Sequence, residues 1–212
     1  MEYEDFRREY LAGGLTWDML DKHPITQFER WLEQAVVGGL ADPTAMSLGT
    51  VDAQGRPWQR LVLLKGVSEK GFVFYTNHGS DKAEAIAANP QVSLLFPWNA
   101  LDRQVIVSGV VETMSAAASA RYFLTRPRES QLAAWASRQS QSISTRALLE
   151  KQMATMREKF GNGEIPMPDF WGGYRVVPQQ IEFWQGGANR LHDRFRYYLL
   201  DGGEWDIRQL QP

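Results

Sequence analysis

The sequence has no cysteine. That excludes disulfides, thiolate nucleophiles and cysteine-based zinc or iron–sulfur sites, and it leaves the redox compartment open. Histidine is scarce, and the three present, at 23, 78 and 192, are too scattered to suggest a metal centre. No apolar run approaches the ~18 residues that cross a bilayer. The N-terminal "MEYEDFRREYLAGGL" has no apolar stretch of signal length, so a soluble, cytoplasmic protein is the expectation. An excess of either charge is also missing: the formal charge is -2 and the pI about 6.0. A general attraction to nucleic acid or to an anionic membrane is thereby excluded, and any anion site has to be local. Neither GxGxxG nor a P-loop is present, and no defensible Ser-His-Asp grouping.

What is there is arginine. Only 6 of the 23 basic residues are lysine, so the side chain that forks onto carboxylate and phosphate dominates. The 212 residues suit one domain with a real core. Residues 1–23 are polar and broken by Gly13 and Gly14, which reads as a mobile arm ahead of a single domain over 24–212. "HPITQFERWLEQAV" predicts an amphipathic helix with Thr26 and Glu29 as a capping box. "TAMSLGTV", "WQRLVLLK" and "FVFYTN" are joined by short turns and read as a three-strand meander. A short helix over "SDKAEAIAAN" follows, then strands "QVSLLFPW" and "RQVIVSGVVETM". Three helices are expected between Ser115 and Phe160, and "YRVV", "QQIEFWQG", "RLHDRFRYYLL" and "EWDIRQL" as closing strands. About eight short strands interrupted by helices predict an α+β, mainly β, barrel-like domain.

Four places could carry chemistry. In "QRLVLLK", Arg60 and Lys65 are an odd number apart, so an unbroken strand would point them oppositely; they share a ligand only if the strand end turns. Otherwise they are two surface charges. In "NHGSDKAEA", Ser80 is a candidate N-cap, with free N–H groups and Lys82 suited to a phosphate, although Asp81 opposes an anion and an ordinary capped helix explains the same residues. In "RYFLTRPRES", a phenol, a guanidinium and a hydroxyl at Tyr122, Arg126 and Ser130 would suit a phosphate monoester, or else simply finish a helix. Finally, "IEFWQGGANRLHDRF" sets a tryptophan and a double glycine before Arg190, His192, Arg194 and Arg196, which share one face if the segment is extended. A surface hairpin with solvated arginines is the plain alternative.

The run "IEFWQGGANRLHDR" resembles the signature of the pyridoxine (pyridoxamine) 5'-phosphate oxidases. "FRREY", "LADPTAM", "QRLVLLK", "FYTNHGS", "NPQVSLLFPW", "RQVIVSG", "YFLTRPRESQ", "SRQS" and "FWGGYRV" resemble segments of that family in the same order, covering nearly the whole chain. The resemblance implies a split β-barrel with flanking helices and a homodimer that binds flavin mononucleotide (FMN) at its interface. It implies oxidation of pyridoxine 5'-phosphate or pyridoxamine 5'-phosphate to pyridoxal 5'-phosphate (PLP), with dioxygen as acceptor, hydrogen peroxide as by-product and ammonia from the amine. Positions matching the family's cofactor contacts are Arg60, Leu61, Val62, Leu63, Leu64, Lys65, Tyr75, Thr76, Lys82, Gln104, Gln139, Ser140, Trp184 and Arg194. Those matching substrate contacts are Lys65, Tyr122, Arg126 and Ser130 around the phosphate, with Arg190 and His192 beside the pyridine ring in catalytic roles. Arg7 and Tyr10 match an N-terminal lid, and Arg196 falls to solvent or a neighbouring acid. Two departures stand out: Asp81 where the family commonly has arginine, and Ala188-Asn189 where a longer polar or acidic pair is usual. The rival readings are a flavin oxidase of another aromatic substrate, as in phenazine pathways, and a non-catalytic flavin or PLP carrier.

Overall fold

A computed structural model describes residues 9–10 and 13–212; most of "EDFRREYL", including Arg7, lies outside the described residues. Among the described residues, nine strands form one sheet in the order β2-β1-β5-β6-β7-β4-β3, with β8 added to β7 and β9 to β8. The strands are β1 (Ala45–Val51), β2 (Pro57–Leu63), β3 (Gly66–Ser68), β4 (Gly71–Asn77), β5 (Gln91–Trp98), β6 (Arg103–Thr113), β7 (Trp171–Gln185), β8 (Asp193–Leu199) and β9 (Trp205–Leu210). Five α-helices among the described residues flank them: α1 (Pro24–Val37), α2 (Asp81–Ala88), α3 (Ala116–Thr125), α4 (Arg128–Ala136) and α5 (Arg146–Phe160). This is the expected α+β split barrel.

Alternation builds its wall. In β5, Val92, Leu94, Phe96 and Trp98 turn inward, while in β1 Met46 and Leu48 do so. α1 closes the interior with the apolar face predicted for it: Phe28 meets Phe72 and Phe96 edge-on at 4.9 and 4.8 Å, and Trp31 meets Phe183 at 5.2 Å. Its start differs from the expected capping box. His23 is the N-cap, its Nδ1 accepting from the Ile25 N–H, with Pro24 at the first helical position; Thr26 and Glu29 lie inside the helix. The segment before it is fastened down. Leu15 is buried in the core, the Leu15 N–H donates to Asp193 Oδ2 at 2.9 Å, and the Tyr197 hydroxyl donates to the Asp21 carbonyl at 2.7 Å.

The meander is the main correction. β1 and β2 pair, but β4 pairs with β3 and β7 at the opposite end of the sheet order. The reason lies in two residues: the Leu64 N–H donates to Thr44 O beside β1, and the next N–H, of Lys65, donates to Val73 O in β4. The chain changes ladders there, which curls the sheet back on itself. "YRVV" and "QQIEFWQG" also prove to be one strand. β7 runs through Pro178 because the ladder with β6 slips between Ser108 and Gly109, where a side chain on Gly109 would sit 2.1 Å from Val177 O.

Candidate active site

A cleft of about 750 Å³ opens between β2, β4, α3 and α4. It is lined by Leu61, Val62, Leu63, Lys65, Tyr75, Thr76, Lys82, Tyr122, Arg126, Ser130 and Gln139 from the predicted set. The ladder change at Lys65 is the strand-end turn that lets this residue line the cleft despite its odd spacing from Arg60. The floor is aromatic: Tyr75 stacks on Tyr122 at 3.9 Å and on Trp171 at 5.3 Å, with planes within 15° and 8°. Gly173 makes this possible, since a side chain there would lie 2.7 Å from the Tyr75 ring. The guanidinium of Arg126 lies over Trp171 at 4.7 Å, and its Nη1 is buried with no hydrogen-bond partner among the described residues. Burial lowers the pKa of Arg126, with Tyr122 opposing, and raises that of Tyr122. A desolvated cation with an unmet donor invites an anion.

Lys82, also in the cleft lining, is buried, its Nζ donating to Ser80 Oγ and Gln139 Oε1 at 3.1 Å each. Thr76 Oγ1 donates to the same Gln139 oxygen at 3.0 Å, and the Asp81 N–H donates to Ser140 Oγ at 3.2 Å. Ser80 holds the N-cap position of α2 but makes no side-chain cap; its hydroxyl donates to Asn77 O. Burial and the charge of Arg60 lower the pKa of Lys82, while Asp81 raises it. Arg60 Nη1 donates to Thr50 Oγ1 at 2.7 Å and Leu48 O at 3.1 Å. Leu64 turns its side chain into the core.

The lining of the cleft includes none of Gln104, Trp184, Arg190, His192 or Arg194. Three of these form a row of their own, because Gln104 faces Trp184 across β6 and β7, and Trp184 faces Arg194 across β7 and β8. Tyr10 joins them, its ring edge-on to Trp184 at 5.5 Å and to His192 at 5.4 Å. Gly186 leaves the space: a side chain there would lie 2.7 Å from the Tyr10 ring.

The shared face expected of residues 190–196 is not formed. β8 begins at Asp193, and Ala188–Arg190 make a 3-10 turn in which Asn189 and Arg190 both have positive φ, 54° and 63°. Arg190 is exposed on that turn. The Gly187 N–H donates to His192 Nδ1 at 3.1 Å. Arg194 and Arg196 do share a face, and both are held by a residue that sequence reasoning passed over. Glu182, only 4% exposed, accepts from Arg194 Nε at 2.9 Å and from Arg196 Nε and Nη2 at 2.9 and 2.5 Å. Burial pushes its carboxyl up, but the hydrogen bonds and charges of the two arginines outweigh that and leave it lowered. Trp171 was also passed over, although the "WGG" beside it was the available signal.

A family model described as pyridoxamine 5'-phosphate oxidase matches residues 32–160, and one described as the pyridoxine 5'-phosphate oxidase C-terminal dimerisation region matches residues 171–212. Over the full length of both chains, the sequence is 59% identical to the pyridoxine/pyridoxamine 5'-phosphate oxidase of Teredinibacter turnerae and 56% identical to that of Pseudoalteromonas translucida. The chain belongs to the pyridoxine/pyridoxamine 5'-phosphate oxidase family. Among solved structures, PhzG from Burkholderia lata 383, in complex with tetrahydrophenazine-1-carboxylic acid, is 28% identical and superposes with a TM-score of 0.88 over 95% of this chain and 99% of its own. A pyridoxamine 5'-phosphate oxidase-related, FMN binding protein from Nostoc punctiforme shares the fold, with a TM-score of 0.72 at 16% identity over 91% of this chain and all of its own. In this oxidase-family chain the cleft falls largely within the first matched region, apart from Trp171, and the Trp184–His192–Arg194 group within the second.

Proposed function

We propose that this protein is a cytoplasmic, FMN-dependent oxidase that converts pyridoxine 5'-phosphate and pyridoxamine 5'-phosphate to PLP, passing electrons to dioxygen, forming hydrogen peroxide and releasing ammonia from the amine. The observation that carries the reading is the unmet, buried Nη1 of Arg126 in a cleft also lined by Lys65, Tyr122 and Ser130. Together these offer a phosphate monoester two cations and two hydroxyls.

The residues present fit FMN. Lys82, desolvated beside Arg60 and the start of α2, suits the cofactor's phosphate, with Gln139, Ser140 and Thr76 around it. The Gln104–Trp184–Arg194 row suits its ring system, with Leu61, Val62, Leu63 and the backbone of Leu64 alongside. When bound, FMN supplies a ring that accepts a hydride and delivers electrons to dioxygen. Lys65, Arg126 and Ser130 anchor the substrate's phosphate, so that binding energy far from the reacting carbon fixes its position. Arg190 and His192 orient the pyridine ring, and Arg194 supplies positive charge where reduction adds negative charge. Tyr10, packed on Trp184 and His192, covers the site and keeps water out.

Because the cleft lacks the second group, we propose that two copies of the chain complete each site, the cleft from one and Trp184, Arg190, His192 and Arg194 from the other. A phenazine-type substrate lacks the phosphate that Lys65, Tyr122, Arg126 and Ser130 are suited to bind, and a mere carrier has no need of Arg190 and His192 beside the ring. The test is to load the purified protein with FMN, supply each B6 phosphate in air, and follow PLP absorbance together with peroxide. Equal amounts of both products are expected. Failure to form aldehyde from either substrate overturns the reading.

A further inference from the structure

The bond between the Gly187 N–H and His192 Nδ1, 3.1 Å long, locates the imidazole proton. A backbone amide can only donate, so Nδ1 presents its lone pair, and in the neutral ring the proton sits on Nε2. We propose that Gly187 holds His192 as the Nε2–H tautomer, so that the imidazole meets the substrate as a hydrogen-bond donor through Nε2–H and does not take up the proton that leaves the substrate. Gly187 is the positioning residue that imposes this. The donor role rests on the placement of His192 beside the substrate ring; the location of the proton does not.

The local backbone makes the arrangement hard to reverse. The chain from Gly187 to His192 folds tightly, with the Leu191 N–H donating to Ala188 O at 3.0 Å. Any side chain at 187 would stand 2.2 Å from Leu191 O, so only glycine brings its N–H this close to the histidine. The imidazole is also confined, lying 4.7 Å from the Trp184 ring and 5.4 Å from that of Tyr10. A half-turn of the ring would put carbon in place of Nδ1 and leave the Gly187 N–H unmet, at a cost of about 1–3 kcal/mol where the group is buried. The double glycine noticed in the sequence thus divides its work: Gly186 makes room for Tyr10, and Gly187 orients His192.

Histidine-selective ¹⁵N labelling of the FMN-loaded protein tests this directly, since only three histidines contribute and His192→Gln identifies the signal. At about pH 8, above the ordinary histidine pKa of roughly 6.5, a long-range proton–nitrogen correlation should show His192 Nδ1 without a proton and Nε2 with one. Adding PLP should move the Nε2 proton downfield and leave Nδ1 unprotonated. A proton on Nδ1 overturns the proposal. So does a His192 signal indifferent to PLP in a preparation that turns over pyridoxine 5'-phosphate. If neither B6 phosphate is oxidised, the proposed function fails, while the spectrum still decides the tautomer. Two variants add an independent arm: His192→Gln, which can still donate, should keep at least tenfold more kcat/KM than His192→Glu, and the reverse order contradicts a donor.

Discussion

Asp81 shows how one side chain can set the affinity of a site. It sits in the first turn of α2, where an acid suits the helix dipole; burial lowers the pKa of both Arg60 and Lys82, and the charge of Asp81 partly offsets that lowering. Part of the positive charge gathered for a phosphate is therefore already balanced. Asp81→Arg should tighten FMN binding about tenfold, the scale of one charge-assisted contact; an unchanged or weaker dissociation constant in a flavin-fluorescence titration contradicts this. The Gly186–Tyr10 contact permits a second test at the same scale. Gly186→Ala should raise KM for pyridoxine 5'-phosphate at least tenfold by expelling the Tyr10 ring, and it should add little in a Tyr10→Ala background. An equal effect in both backgrounds would mean that Gly186 acts elsewhere. Residue types were readable from the sequence at both positions. Their reasons were not, because a glycine's purpose lies in the atoms that approach it, and those come from distant segments.

Among the elements, the β7–β8 ladder carries the most consequence. It places Glu182 between Arg194 and Arg196 and so fixes the arginine that we propose serves the cofactor. Because the carboxyl pKa is lowered in the fold, its contribution is present above the unfolded value, about 4.3, and is lost as pH falls through the lowered folded value. Glu182→Gln should cost about 2 kcal/mol at pH 7 by urea unfolding, less than the ~3–5 of a fully buried pair, since the arginine side chains are 28% and 31% exposed. The gap between variant and parent should shrink below about pH 4; a constant gap contradicts the account. Periodicity revealed the helices and most strands. It could not reveal that β4 leaves β2, because a single pair of consecutive N–H groups, at Leu64 and Lys65, decides which ladder each residue joins. Nor could it show that β8 starts at Asp193, since two residues with positive φ interrupt a stretch that reads as strand.

At the scale of the molecule, local motifs suggested several weak sites, each with an ordinary explanation. Folding gathers those at Lys65, Lys82 and Tyr122–Ser130 into one cleft and leaves the segment around Trp184 and His192 outside its lining. On the proposed reading one chain presents two half-sites, the second of them in residues 171–212, the region matched to a dimerisation model. In the proposed dimer, one working oxidase site takes its cleft from one copy and its Arg190–His192–Arg194 segment from another. Subunit mixing tests it. Arg126→Gln and Arg194→Gln should each be nearly inactive alone as FMN-loaded protein. After unfolding and refolding together, half of the dimers are mixed and hold one intact site of two, so PLP formation should recover to about a quarter of the parent rate. No recovery, with mixed dimers demonstrated by mass spectrometry, would contradict the shared site.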